Sequence, residues 1–178
     1  LRTMCKFRLN SELAVQVKSL EIMMAFDTNT EIAAYSAPEK DLYDVGEMPP
    51  LGYVPKSMYA WAIRRERHGE PDKSFQIEVV ETPTLDSQDV LVLVMAAGVN
   101  YNGVWAGLGV PISPFDVHKA AYHIAGSDAS GIVWAVGDKV TRWKVGDEVV
   151  VHCNQDDGDD EECNGGDPMF SPSQRIWG

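Results

Sequence analysis

The alternation of apolar and polar residues predicts a mainly β domain from residue 58 onward. Strand-like runs separated by glycine- and proline-containing segments occur at residues 58–64, 75–81, 90–97, 131–136 and 147–152. The run at 90–97 begins VLVLVM and has no polar position, which is typical of a strand that is buried on both faces. We therefore expect residues 90–97 to form the central strand of the core.

The segment VGDKVTRWKVGDEV, at residues 136–149, contains the dipeptides Gly137-Asp138 and Gly146-Asp147. Glycine and aspartate suit the backbone conformations of tight turns, so these dipeptides divide the segment into short alternating strands. Short strands joined by tight turns are typical of a small β-barrel. The predicted fold class is mainly β with short helices, an α+β arrangement.

The residues before 58 form two further predicted segments. Residues 1–23 mix basic and apolar positions in a style unlike the rest, and they are predicted to be an upstream or non-native tail. A natural start at Met23 or Met24 fits this interpretation, and a targeting peptide is the less favoured alternative. Residues 24–57 carry four prolines among scattered acidic residues, which predicts an extended arm lying over another surface, as in a subunit contact.

Composition narrows the possible functions. A chain of 178 residues with 44% hydrophobic content can build one domain with tails. Its 15 Lys and Arg against 27 Asp and Glu give a net charge of −12, which disfavours binding to nucleic acid or to an anionic membrane surface. No apolar run approaches the roughly 20 residues of a membrane span. Three cysteines without CxxC spacing favour a reducing cytoplasm over a disulfide framework.

Two blocks carry a resemblance to a known fold. GVNYNGVWAG at residues 98–107 and AGSDASGIVWAVGDKVTRWKVGDEVVVHC at 125–153 resemble the GroES-like catalytic domain of medium-chain dehydrogenases/reductases. NYNGVW, the PISPFDVHK insertion, YHIAGSD and the tail that ends in RIWG resemble, more narrowly, the crotonyl-CoA carboxylase/reductase family. This resemblance extends over about residues 43–178. It implies that residues 58–178 are a GroES-like, partly open β-barrel.

The same resemblance bears on metals. Zinc-dependent relatives carry a cysteine ligand where this chain has Asn100, and Gly-His-Glu where it has Gly126, Ser127 and Asp128. Zinc requires converging thiolate, imidazole or carboxylate ligands, and an amide with a hydroxyl does not replace two of them. The cysteine-rich structural zinc loop of those relatives is also missing. We therefore expect no metal.

The activity that the resemblance implies is reduction of crotonyl-CoA by NADPH, with capture of CO2 by the resulting enolate to give ethylmalonyl-CoA. Relatives are expected to be homo-oligomers. The chain has no G-x-G-x-x-G turn between a strand and a helix, so the Rossmann domain that would bind NADPH is absent from it. The chain alone is therefore expected to be inactive.

Three of the four candidate site residues lie within NYNGVW, at residues 100–105. By resemblance, Asn102 anchors CO2 through its side-chain amide, and the alternative is that Asn102 only caps a helix beginning near Gly103. Tyr101 and Trp105 are predicted either to line the acyl pocket or to pack in the core. His123 is the histidine most favoured to touch substrate, although a lone histidine is more often structural.

Two sets of charged residues suggest ligand binding, but each can also be explained as ordinary surface charge. The acidic run at residues 156–162, between Cys153 and Cys163, suggests calcium, but it lacks EF-hand spacing and is predicted to be a solvated, extended loop. No role is assigned to the two cysteines. Arg64, Arg65 and Arg67 are candidates for the CoA diphosphate, and surface solubility explains them equally well.

Two alternative functions are left open. The first is a plain zinc-free enoyl-CoA or quinone reductase of the same superfamily, in which the enolate is protonated instead of carboxylated. The second is a noncatalytic fragment or interaction module that needs a partner chain, because a GroES-like domain without its nucleotide-binding partner leaves an apolar docking face exposed.

Overall fold

The computed structural model describes residues 4–8 and 37–176, and for 4–8 it describes the backbone pairing. The described strands are β1 Met4–Arg8, β2 Ser57–Ile63, β3 Gln76–Glu81, β4 Asp89–Ala96, β5 His123–Ile124, β6 Ala129–Val136, β7 Glu148–Val151, β8 Asn154–Gln155 and β9 Arg175–Ile176. The helices are α1 Pro71–Ser74, α2 Tyr101–Leu108 and α3 Pro114–Val117, with 3-10 turns at Arg65–Arg67 and Pro168–Phe170.

Strand β4 lies inside an antiparallel sheet of order β1-β4-β6-β7. Its two faces contribute to two different apolar clusters. Val90 and Val92 pack in a cluster with Trp143, whereas Leu91 and Leu93 pack in a cluster with Trp134. This alternation follows from the two-residue period of a strand, and it confirms the prediction that this run is buried on both faces.

A second sheet of order β3-β2-β5 covers one face of the first. Met58 and Ala60 of β2 point inward and join the cluster of Leu91, Leu93 and Trp134. The burial of each such apolar side chain stabilises the fold by about 1.5–3 kcal/mol. The described sheets do not close on each other, so the predicted fold class, mainly β with short helices and a partly open barrel, is confirmed.

The described part of the predicted arm, residues 37–56, has no helix or strand and packs on the domain itself. The indole Nε1–H of Trp134 donates to the carbonyl of Tyr53 at 2.8 Å. Tyr43 is buried, and its hydroxyl donates to the carbonyl of Pro38 at 2.7 Å. The predicted boundaries at residues 23 and 57 stay predictions, and the proposed starts at Met23 and Met24 lie outside the described residues.

Among the described residues, no helix has the length and apolar character needed to cross a bilayer.

Candidate functional site

Helix α2 carries Tyr101, Asn102 and Trp105, and it follows β4 after the short loop 97–100. Its N-cap is Asn100, whose side-chain Oδ1 accepts the backbone N–H of Asn102 at 2.9 Å. The helix ends at Leu108, and its C-cap Gly109 has φ +72°; a Cβ on Gly109 would approach the His68 ring at 2.7 Å. The alternative in which Asn102 caps a helix near Gly103 is therefore wrong, because Asn102 is already inside the first turn and the cap is two residues earlier.

The side chain of Asn102 is exposed, and the two candidate aromatic rings lie beside it. Tyr101 and Trp105 are one turn apart and meet edge to face, with ring centroids 5.4 Å apart. They are 64% and 46% exposed, so the alternative of packing in the core is wrong for both. At about 100° per residue, these two rings and Asn102 share one side of the helix.

The structure brings together Asn100, Ser127 and Asp128, which stand where the family resemblance would place zinc ligands. The Asn100 Nδ2 donates to an oxygen of Asp128 at 3.2 Å and lies 3.5 Å from the Ser127 hydroxyl, which is buried. These side chains offer an amide, a hydroxyl and a single carboxylate. Because catalytic zinc takes three protein ligands from imidazole, thiolate and carboxylate, this donor set does not fit it.

His123 is only 8% exposed and belongs to a packed cluster of rings. Its Nδ1 lies 3.0 Å from the Nε2 of His118, the centroids of the two rings are 5.2 Å apart, and Phe115 meets both edge to face. Burial, followed by the nearby His118 and His68, lowers the pKa of His123 to about 4. The described contacts of His123 are therefore with its own domain, and its contact with substrate stays a prediction.

Hydrogen bonds fix the proton positions in this cluster. The backbone N–H of Ala120 donates to Nδ1 of His118 at 3.2 Å, so neutral His118 carries its proton on Nε2 and donates it to His123. His68 bonds the carbonyl of Gly107 through Nδ1 at 3.2 Å and the Ser113 hydroxyl through Nε2 at 2.8 Å. His68 thus ties the end of α2 to the next loop.

The candidate arginines are already paired. Arg64 and Arg67 donate to the carboxylate of Glu78 at 2.6 Å and 2.5 Å. Hydrogen bonds from Arg64, and then from Arg67, hold the pKa of Glu78 below its usual range. Arg65 pairs with Asp116 at 2.7 Å. These guanidinium groups therefore serve structural ion pairs, and a role in binding the CoA diphosphate would require breaking them.

The acidic loop is compact, which differs from the predicted extended loop. Strands β8 and β9 pair and close its ends, and Asp156 is buried. Asp160 accepts the Ser171 hydroxyl at 2.6 Å and the Cys163 N–H at 2.9 Å, and these bonds lower its pKa. Backbone and hydroxyl donors therefore offset the like-charge repulsion on which the prediction rested. One possible metal-ligating atom from each of Asp157, Asp160 and Cys163 lies within 4.8 Å of the other two. Such groups of acidic side chains are common at protein surfaces without a bound ion.

A surface depression lies away from α2. It is formed where the arm passes β2 and β4, and its walls include Tyr43, Pro49, Met58 and Leu93. None of its lining residues belongs to α2. The candidate side chains on the first turns of α2 are themselves exposed on the surface of the described residues.

Comparison with known proteins places this geometry in a family. The chain is 83% identical over 155 residues to the crotonyl-CoA carboxylase/reductase of Cereibacter sphaeroides, a match that covers 87% of this chain and 36% of that protein. A solved crotonyl-CoA carboxylase/reductase superimposes with a TM-score of 0.77 and 75% identity, covering 82% of this chain and 35% of that one. The crotonyl-CoA carboxylase/reductase AntE, solved in complex with NADP, superimposes with a TM-score of 0.71 and 50% identity. That match covers 79% of this chain and 36% of AntE.

The chain spans about a third of the length of these relatives. Its residues 86–178, more than half of the chain, match the family described as alcohol dehydrogenase GroES-like domain. The open two-sheet fold, with the candidate helix following its central strand, agrees with that match. The chain therefore belongs to the alcohol dehydrogenase GroES-like domain family.

Proposed function

We propose that this chain is the amino-terminal catalytic portion of an NADPH-dependent reductive carboxylase that converts crotonyl-CoA and CO2 to ethylmalonyl-CoA. The observation that carries the proposal is the 83% identity over 155 residues to the Cereibacter crotonyl-CoA carboxylase/reductase. In the balanced reaction, NADPH supplies a hydride to the β-carbon of crotonyl-CoA, and the α-carbon of the resulting enolate forms a bond to CO2. The chain has no dinucleotide-binding turn, so the NADPH site is assigned to the part of the relatives that lies outside the match.

The role proposed for Asn102 is to hold CO2. Its side-chain amide is exposed on the first turn of α2 and can donate a hydrogen bond to a CO2 oxygen without introducing a charge. The positive end of the helix dipole favours the negative charge that grows on CO2 as the new bond forms. Asn102 would thereby favour carboxylation of the enolate over its protonation.

The role proposed for the neighbouring apolar side chains is to contact the acyl group and the rest of the enzyme. Tyr101 and Trp105 stand beside Asn102, and the flanking Val99, Val110 and Ile112 are exposed as well. So much apolar surface in one short stretch is typical of a binding or docking region. Covering it would exclude water, which otherwise protonates the enolate.

The proposal includes three finer expectations. CO2 is a substrate, the complete enzyme is a homo-oligomer, and it works in the cytoplasm. The free thiols of Cys153 and Cys163 support a reducing compartment. His123 is proposed to contact substrate through the small part of its ring that is exposed.

The test uses a hybrid enzyme in which this chain replaces the matching segment of the Cereibacter relative. NADPH oxidation with crotonyl-CoA is followed with and without bicarbonate plus carbonic anhydrase, and products are identified by mass spectrometry. We expect ethylmalonyl-CoA from the hybrid and a higher proportion of butyryl-CoA from its Asn102→Ala variant. A hybrid that makes butyryl-CoA alone at saturating CO2 would refute the carboxylase proposal in favour of a plain enoyl reductase.

A further inference from the structure

A continuous line of hydrogen bonds leads from a carboxylate to the first turn of α2. Asp128 accepts from Asn100 Nδ2 at 3.2 Å, and Asn100 Oδ1 accepts from the backbone N–H of Asn102 at 2.9 Å. Both bonds use the same planar amide. A flipped amide would set its oxygen against the carboxylate and its nitrogen against an N–H, so the two bonds together determine the orientation of Asn100.

The backbone is shaped to permit this contact. A Cβ on Gly98 would lie 2.6 Å from an oxygen of Asp128, so a larger residue at this position would displace the carboxylate from its present place beside Asn100. Ser127, which is buried, stands next to Asp128 and gives the same amide a second, longer contact at 3.5 Å. Asp128 thus holds the loop from which the helix starts.

We infer that Asp128 is a positioning residue: through Asn100 it fixes the first turn of α2 and thereby the Asn102 amide, and so favours CO2 capture over protonation. The inference rests on the proposed function. CO2 is small, uncharged and weakly bound, so its capture depends steeply on where the anchoring amide stands. Asp128 itself does not touch CO2 in this arrangement.

The test compares variants of the hybrid enzyme by the ratio of ethylmalonyl-CoA to butyryl-CoA and by the KM for CO2. For Asp128→Ala we expect this ratio to fall and the KM for CO2 to rise, each by roughly three- to tenfold. Asp128→Asn keeps an oxygen that can accept from Asn100, and it should stay within about twofold of the parent enzyme.

Asp138→Ala is the matched control, because Asp138 is exposed and follows β6 whereas Asp128 precedes it. The two aspartates are therefore separated by the length of that strand, about 25 Å. The control makes the same change of charge and should leave the product ratio unaltered.

A second variant guards against a general loss of structure. Asn100→Ser keeps a side chain that caps helices well but removes the amide that reaches Asp128. It should lower the product ratio as Asp128→Ala does, and combining the two should add little further. Melting temperatures close to that of the parent would show that the variants fold.

The outcomes separate the two proposals. If Asn102→Ala lowers the product ratio but Asp128→Ala and Asn100→Ser change it no more than Asp138→Ala does, the positioning role of Asp128 is refuted and the proposed function stands. If Asn102→Ala leaves the ratio unchanged, the role of Asn102 fails and the positioning role fails with it.

Discussion

His118 Nε2 and His123 Nδ1 lie 3.0 Å apart, and the angle between the two ring planes is 16°. Because Ala120 donates to the other nitrogen of His118, the bond between the rings forms only when His123 accepts, which requires Nδ1 of His123 to be unprotonated. The pair is therefore arranged for the neutral form of His123, in agreement with its lowered pKa.

Acidification should weaken the fold through His123. An unfolded chain protonates this histidine near pH 6.5, whereas the folded chain does so at about 4. The unfolded state therefore binds more protons between these values, and the free energy of unfolding falls as the pH is lowered through this window, by about 3 kcal/mol at most. Urea unfolding of the chain between pH 7 and pH 4.5 measures this slope.

His123→Gln removes the titrating group and should flatten the slope relative to the parent chain. His152→Gln, which changes an exposed histidine at the end of β7, is the control and should keep it. Equal slopes for the parent and His123→Gln would show that this histidine does not couple protonation to folding.

Replacing the cap residue Asn100 should cost more stability than replacing Asn102 in the first turn. Asn100→Ala removes the N-cap hydrogen bond and should lower the free energy of unfolding by about 1 kcal/mol. Asn102→Ala should change it by less than about 0.5 kcal/mol, since this side chain is exposed. Chemical denaturation of the intact chain measures both, and a larger loss for Asn102→Ala would contradict the cap assignment.

The carboxylate of Glu78 should contribute measurably to stability. It accepts from both Arg64 and Arg67 and is largely shielded from solvent, with 17% of its side chain exposed. Glu78→Gln keeps the shape but removes the charge, and should cost about 1–2 kcal/mol. Glu81→Gln, at an exposed position on the same strand, is the matched control. Equal unfolding free energies for the two variants would mean that the ion pairs are unimportant.

Loss of one indole hydrogen bond should loosen the arm. Trp134→Phe removes the donor that binds the Tyr53 carbonyl, so amide hydrogen exchange in residues 37–56 should accelerate more than exchange in β4. Trp143→Phe changes a buried tryptophan of the other apolar cluster and is the control. If both variants raise exchange in the arm equally, the hydrogen bond is not what holds it.

The sequence identified the parts of this fold that depend on local pattern. Every position of the run VLVLVM is apolar, so a strand formed by it must be buried on both faces. Strand β4 is buried on both faces, as expected. The grouping of Asn100 with Ser127 and Asp128 was anticipated only through the family resemblance, since these residues are more than 25 positions apart.

The other features of the site depend on which residues meet in space, and the order of residues along the sequence does not show this. Asn100 and Asn102 are the same residue type two positions apart, so cap preference could not choose between them. The pairing of Arg64 with Glu78, and the ring cluster around His123, appear only once separate segments are brought together in space. The compactness of the acidic loop likewise depends on Ser171, eleven residues from Asp160.

Strand β1 covers an edge of β4 that could otherwise pair with a strand of another molecule. Its backbone pairs along β4 from Met4 opposite Leu93 to Arg8 opposite Asp89, so it shields one edge of the most apolar of the described strands. Without that cover, β4 would offer a row of unpaired N–H and C=O groups beside an uninterrupted aliphatic run, which is the usual template for intermolecular strand addition. Residues 4–8, which fall within the predicted upstream or non-native tail, thus occupy an edge of β4 that would otherwise be open to another strand.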